Sequence, residues 1–133
     1  MDSLTVFLSR LIGFAALLLG AAMLFDKAPL VAAVELAAED RTALITLGAG
    51  GIIAGLAIVL THNLWRQGLC ALIVTLIGWF MLIRGVLMLF LPTGFLLRLA
   101  DASHFGDYFY LYAAFPFAIG AYLTWQGFVT RRR

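Results

Sequence analysis

The sequence predicts an all-α integral membrane protein, a bundle of four transmembrane helices built from two tandem helical hairpins. Three observations lead there. Of 133 residues, 64% are hydrophobic and only 12% charged, whereas soluble domains run at about 45–50% apolar and about 25% charged. The apolar residues fall into four stretches, each close to the roughly 20 residues that a helix needs to cross a bilayer. Finally, "LIGFAALLLGAAMLF" (Leu11 to Phe25) nearly recurs as "LIGWFMLIRGVLMLF" (Leu76 to Phe90).

The first span runs from about Leu4 to Phe25 and stops at "DKAP", where Asp26 and Lys27 are costly in lipid and Pro29 disfavours continuation. Arg10 precedes its apolar run as in a signal peptide. However, "AAMLFDKA" is a poor cleavage site and the later copy of the run is retained, so the segment reads as a membrane helix. The second span runs from about Ala43 to Thr61 and ends at "THNLWRQG". The third covers about Gly68 to Leu91 and stops at "PTG"; the fourth covers about Tyr108 to Val129 and ends in "TRRR". The whole chain, 1–133, is a single transmembrane domain. Of the connections, "LVAAVELAAEDRTAL" has helical periodicity and reads as an extension of the second span. "GFLLRLADASHF" reads as a short interfacial helix.

Basic residues set orientation. One side holds Arg10, Arg66, Arg131, Arg132 and Arg133 against Asp2. The other holds Lys27, Arg41 and Arg98 against Asp26, Glu35, Glu39, Asp40, Asp101 and Asp107. Both termini are therefore expected on the cytoplasmic face of the inner (plasma) membrane. Trp65 and Trp125 fit an aromatic belt on that side, and Phe105, Tyr108 and Tyr110 one on the other.

An offset of 65 residues relates the two halves. It places Gly13 on Gly78, Gly20 on Gly85, Met23 on Met88, Phe25 on Phe90 and, in the other pair of spans, Gly55 on Gly120. A hairpin repeated in one orientation implies a symmetry axis along the membrane normal. Gly13 and Gly20 share one helix face, as do Gly48, Gly51 and Gly55. In lipid such small-residue faces let backbones approach. The expected packing residues are therefore Gly13, Gly20, Gly48, Gly51, Gly55, Gly78, Gly85 and Gly120.

Much chemistry is excluded. Cys70 is the single cysteine, so the chain makes no internal disulfide, CxxC redox site or zinc cage, and it reads as a small apolar residue. No acid lies well inside a span, against carboxylate-driven antiport. His62 and His104 belong to opposite leaflets and cannot share a haem; each reads as an interfacial polar residue, His62 with Asn63 capping the second span or touching headgroups. There is no phosphate-binding glycine loop, nucleophile elbow or metal-spaced cluster, so neither enzyme, metal nor cofactor is expected. The net charge of +2 gives no reason to expect nucleic acid.

Arg84 is the exception inside a span. It lies roughly 10 Å below the outer end of its helix, about 100–120° from the Gly78/Gly85 face, among the apolar Ile77, Phe80, Met81, Leu87 and Met88. An arginine at the bilayer centre costs about 2.5–3.5 kcal/mol, part of which snorkelling recovers. The expected partners are Asp26, Asp107 or a lipid phosphate, which makes Arg84, Asp26 and Asp107 the ligand- or lipid-binding candidates. Arg10 has the simpler task of snorkelling to the cytoplasmic face.

"THNLWRQGLCALIVTLIGWFMLIRGVLMLFLP", about a quarter of the chain, resembles small four-helix bacterial inner-membrane proteins of uncharacterised activity, in which a His-Asn-Trp turn precedes a Gly-Trp helix ending in proline. The repeated glycine-spaced hairpin is similar to HdeD-like membrane proteins linked to acid resistance. "RLIGFAALLLGAAMLFDKA" resembles the opening of DoxX-like four-helix proteins. These resemblances imply a bundle and assign no residue a role. The expectation is a non-enzymatic structural or accessory membrane protein, self-associating or part of a larger complex, with membrane lipid as its other partner. The alternative is a small transporter or channel subunit for an anionic or lipid-like substrate held at Arg84.

Overall fold

A computed structural model describes residues 3–63, 68–102, 104 and 107–129, with the side chains of 96 and 100 left out. The expectations for Asp2, Trp65, Arg66, Phe105 and Arg131 to Arg133 lie outside the described residues. Six helices follow one another: α1 (Ser3–Phe25), α2 (Lys27–Glu39), α3 (Arg41–Thr61), α4 (Leu69–Phe90), α5 (Thr93–Ala102) and α6 (Phe109–Val129). The described residues contain no strand.

Each break has a local cause. Asp26 leaves helical geometry (φ −146°, ψ 84°) and the chain restarts at Lys27. Pro29 then falls in the first turn of α2, where its missing N–H has no intrahelical partner to lose. At Asp40 the backbone is extended, and its carboxylate accepts from the Thr42 N–H at 2.8 Å, capping α3. The stretch expected to prolong the second span is therefore a separate helix, α2, because an N-cap aspartate ends it. Leu91 is extended (φ −82°, ψ 143°) ahead of Pro92, which disfavours helix in the residue before it. The short helix expected beyond it is α5. Gly68 precedes α4 at φ +111°, a conformation that residues with a Cβ rarely adopt.

α1, α3 and α4 are long and apolar enough to cross a membrane. α6 is as long as α3, with 21 residues and no charged side chain, but Tyr110, Tyr112, Tyr122, Thr124, Trp125 and Gln126 lower its apolar content. The surface is apolar where a soluble protein's is polar: Leu18, Phe25, Leu60, Phe90, Leu111 and Phe115 are at least 70% exposed. The interior, conversely, holds Thr5, Ser9, His62 and Thr75, none more than 1% exposed. In water each exposed side chain would forfeit its burial free energy; in lipid it forfeits none. The chain is a helical membrane protein.

Packing joins the halves rather than separating them. α1 runs along α6, and α3 along α4, in two antiparallel seams. A Cβ added at Gly120 would lie 2.7 Å from the Leu17 nitrogen and 2.9 Å from the Gly13 carbonyl oxygen. A Cβ added at Gly55 would meet Leu82 nitrogen at 2.5 Å and Gly78 carbonyl oxygen at 2.9 Å. Likewise Gly20 faces Phe117, and Gly85 faces Ile52. Adding 65 to Gly13, Leu17 and Gly20 gives Gly78, Leu82 and Gly85; subtracting it from Phe117 and Gly120 gives Ile52 and Gly55. At these positions the contacts of the two seams correspond. Each long helix finds its closest partner in the opposite half, so the two halves interlock, and the expected hairpins of α1 with α3 and of α4 with α6 are not the packing pairs.

Between the seams lies a core of Leu8, Ile58, Cys70, Val74 and Leu123, drawn from all four long helices. α2 and α5 touch each other at one end, here termed the cap end. There the Arg41 guanidinium donates to the carbonyls of Leu89 (2.7 Å) and Leu91 (3.0 Å), satisfying acceptors left open by the end of α4 and placing a cation at its negative pole. The opposite, terminal end gathers the start of α1, the end of α3, the start of α4 and the end of α6.

Candidate functional site

Polar side chains converge at the terminal end. His62 is the C-cap of α3; its N–H bonds the Ile58 carbonyl at 2.7 Å, closing the last turn. Its ring turns inward and is 1% exposed. Nε2 lies 2.7 Å from the Thr5 hydroxyl on α1. The Thr75 hydroxyl on α4 shares its hydrogen between the Ala71 carbonyl at 2.9 Å and the His62 carbonyl at 3.0 Å. One residue therefore ties three long helices together. The capping expected of His62 is present, and its ring is enclosed by the bundle. The signal that was legible but not combined is Thr5 and Ser9, one turn apart on α1, with Thr75 inside an α4 that is apolar apart from it and Arg84.

Arg10 makes the equivalent contact on the other seam. Its Nε donates to the Gly127 carbonyl at 2.8 Å in the last turn of α6, and its guanidinium carbon sits 4.8 Å from the Phe128 ring centre. An offset of 65 takes Arg10 to Thr75 and Gly127 to His62, so both seams end with a side chain of one helix closing a terminal carbonyl of its partner. The two halves differ in what else they place there. Thr5, Ser9 and His62 correspond to Cys70, Val74 and Gly127. Among buried side-chain atoms, Ser9 Oγ, Arg10 Nη2, His62 Nδ1 and Thr124 Oγ1 have no hydrogen-bond partner among the described residues. This end is thus a polar lock, held by a donor and acceptor set of hydroxyls, one imidazole and one guanidinium. Among the described residues no three His, Cys, Asp or Glu side chains gather as metal ligands.

Arg84 stands elsewhere. It is exposed on the outer face of α4, with no hydrogen bond or ion pair to another described residue. Asp26 is exposed between α1 and α2, and Asp107 lies 4.0 Å from His104 before α6. The structure joins neither aspartate to Arg84. Seven of the eight seam glycines meet another glycine, Gly48 and Gly51 against Gly85, Gly55 against Gly78, and Gly13 against Gly120, while Gly20 backs onto Phe117. Trp125 at the terminal end is 71% exposed, and Tyr108 and Tyr110 at the cap end are each 57% exposed, the positions expected of aromatic belts.

Open grooves mark the outer surface of the described residues. One is lined by Leu17, Ala121, Thr124, Trp125, Phe128 and Val129 on the flank of the α1–α6 seam. A second is formed by Leu111, Tyr112, Ala114 and Phe115, and a third by Arg41, Phe90, Leu91, Pro92 and Thr93. No family model, no curated protein and no solved structure matches the chain.

Proposed function

We propose that the chain is a non-enzymatic structural or accessory protein of the bacterial inner membrane, a rigid four-span bundle that works through its outer surface. The observation carrying this reading is the pair of matching glycine seams, in which backbones meet directly along both helix pairs. Such packing commits the interior to holding the bundle together. It leaves the apolar flanks of α1, α4 and α6 to contact lipid, further copies or a larger complex.

α6 serves as the fourth span in this reading. Its 21 residues extend for about 30 Å, the thickness of a hydrocarbon core, and it lies along α1, which has the length and composition of a span. The charge balance supports a cytoplasmic terminal end, which places α2 and α5 at the periplasmic surface.

The test is twofold. Single cysteines at Ser3 and Ala37, introduced into Cys70→Ser, are labelled in intact cells with a membrane-impermeant maleimide. Labelling of Ala37→Cys alone is expected, and labelling of Ser3→Cys alone would reverse the orientation. Photo-crosslinkers at the exposed Phe80 and Phe115 are expected to yield discrete covalent adducts in native membranes. A chain that yields none, and that alone carries solute flux in proteoliposomes, would be a transporter instead.

A further inference from the structure

Arg84 is an exposed guanidinium on a span whose other outward side chains are apolar, Leu76, Phe80, Ile83 and Leu87 among them. The internal repeat shows what the fold itself asks of this position. Its equivalent, 65 residues earlier, is Leu19 on α1, 65% exposed on the matching outer face. The flanking glycines correspond as well, Gly20 to Gly85 and Gly13 to Gly78, and occupy equivalent places in their seams. A leucine therefore suffices for packing. An arginine there serves something outside the bundle.

We propose that Arg84 binds the phosphate of a phospholipid in the leaflet at the cap end, an anionic headgroup being favoured. The inference rests on the membrane-spanning reading. Three facts identify the occupant. Within the described residues no acid neutralises Arg84, and an unpaired guanidinium in hydrocarbon recruits the nearest anion. The nearer end of α4 is Phe90, six residues on, about 9 Å along the axis, whereas its start, Leu69, lies about 22 Å away toward the opposite face. At that near end the Arg41 guanidinium is held on the Leu89 and Leu91 carbonyls, a second cation at headgroup level.

Helix geometry sharpens the binding. Side chains tilt toward the helix N-terminus, which on α4 is away from the cap end. Arg84 cannot climb all the way to the headgroups, so the phosphate must be drawn down to it. The exposed Leu76, Phe80 and Ile83, on the bilayer-centre side of Arg84, then flank the acyl chains. A lipid held below the headgroup plane exchanges more slowly than bulk lipid and survives extraction.

The test is native mass spectrometry of the full chain released from nanodiscs of mixed phosphatidylcholine and phosphatidylglycerol. Wild type is expected to retain phosphatidylglycerol. Arg84→Leu should lower that adduct about tenfold, the loss of one charge-assisted contact, with helicity and thermal midpoint unchanged because the fold already carries leucine at the equivalent site. Arg84→Lys should keep most of the adduct. Equal adducts in wild type and Arg84→Leu would overturn the proposal while leaving the membrane reading intact; failure of wild type to enter nanodiscs would instead sink that reading. Loss of a dimer mass in Arg84→Leu without change in lipid would assign the residue to contact between copies. Displacement of the lipid by millimolar inorganic phosphate would assign it to a free anion. Either result overturns the lipid site.

Discussion

The hydroxyl of Thr5 and Nε2 of His62 lie 2.7 Å apart although 57 residues separate them. This contact fastens the first turn of α1 to the C-cap of α3, and its enclosure decides what breaking it costs. His62→Ala removes a fully buried ring and leaves the Thr5 hydroxyl without its partner. We expect a loss of about 2–4 kcal/mol, combining a cavity with a stranded polar group. Thr5→Val, which keeps the shape, should cost about 1 kcal/mol. A double-mutant cycle read by denaturant titration in micelles should return a coupling near 0.5–1.5 kcal/mol. Additive effects would show that the two side chains share a location without sharing a bond.

The seam glycines differ sharply in what they tolerate. Gly55→Ala drives a methyl group to 2.5 Å from a backbone nitrogen of α4, and Gly120→Ala one to 2.7 Å from a backbone nitrogen of α1. Backbone cannot swing aside as a side chain can, so the helices must separate. Each change is expected to cost about 1–3 kcal/mol, with similar values because the two sites are equivalent. Gly50→Ala, on the same helix as Gly55 but facing open space, should be neutral or gain up to about 1 kcal/mol from helix propensity. Equal destabilisation by Gly50→Ala and Gly55→Ala would show that helix propensity, not the seam, governs these positions.

At the cap end, Arg41→Ala uncovers the Leu89 and Leu91 carbonyls together. The guanidinium is solvent-exposed, so the expected penalty is below about 1 kcal/mol. The readout is local: amide exchange in the last turn of α4 should accelerate severalfold while the α1–α6 seam stays protected. Arg41→Lys, which has a single ammonium in place of the planar fork, should restore only part of the protection. Uniform acceleration over the whole chain would mean that this cap holds more than one helix end.

How much of this was legible in the sequence depended on the range of the interaction. The helix ends at Gly68 and Pro92 were readable because their causes act on the residues beside them. The break at Asp40 was not, and the stretch reads as one continuous helix, since the N-cap bond to Thr42 leaves the helical periodicity on either side intact. The seam glycines were readable as well, since a small-residue face has one principal use in lipid. Which helix each face would meet was not readable. Gly13 fits a partner in α3 as well as one in α6, and the choice depends on the three-dimensional course of α2 and α5. The polar lock was missed for a related reason. Thr5, Ser9, His62 and Thr75 are each unremarkable on their own helices, and only the fold brings His62 inward. Arg84 was the reverse case, conspicuous in the sequence yet left without a protein partner by the fold.

Interlocking also predicts how the molecule responds to being cut. Both seams join the first half to the second, α1 with α6 and α3 with α4. A protease site placed between Asn63 and Gly68 severs the chain without touching either seam. The cleaved halves should therefore remain together in mild detergent, with unchanged helicity and a thermal midpoint that now depends on protein concentration, because a unimolecular fold has become a bimolecular one. Gly55→Ala or Gly120→Ala alone should then weaken their association, each by parting one of the two seams, and the double variant should release them at detergent levels that leave the uncut chain folded. Hairpins that packed α1 on α3 and α4 on α6 would behave differently: cleavage would free two self-contained units, and the seam variants would weaken each unit rather than the bond between them. Co-elution of the cut halves, weakened by Gly55→Ala or Gly120→Ala and lost when the two are combined, is the outcome that the contacts of Gly55 with Leu82 and Gly120 with Leu17 require.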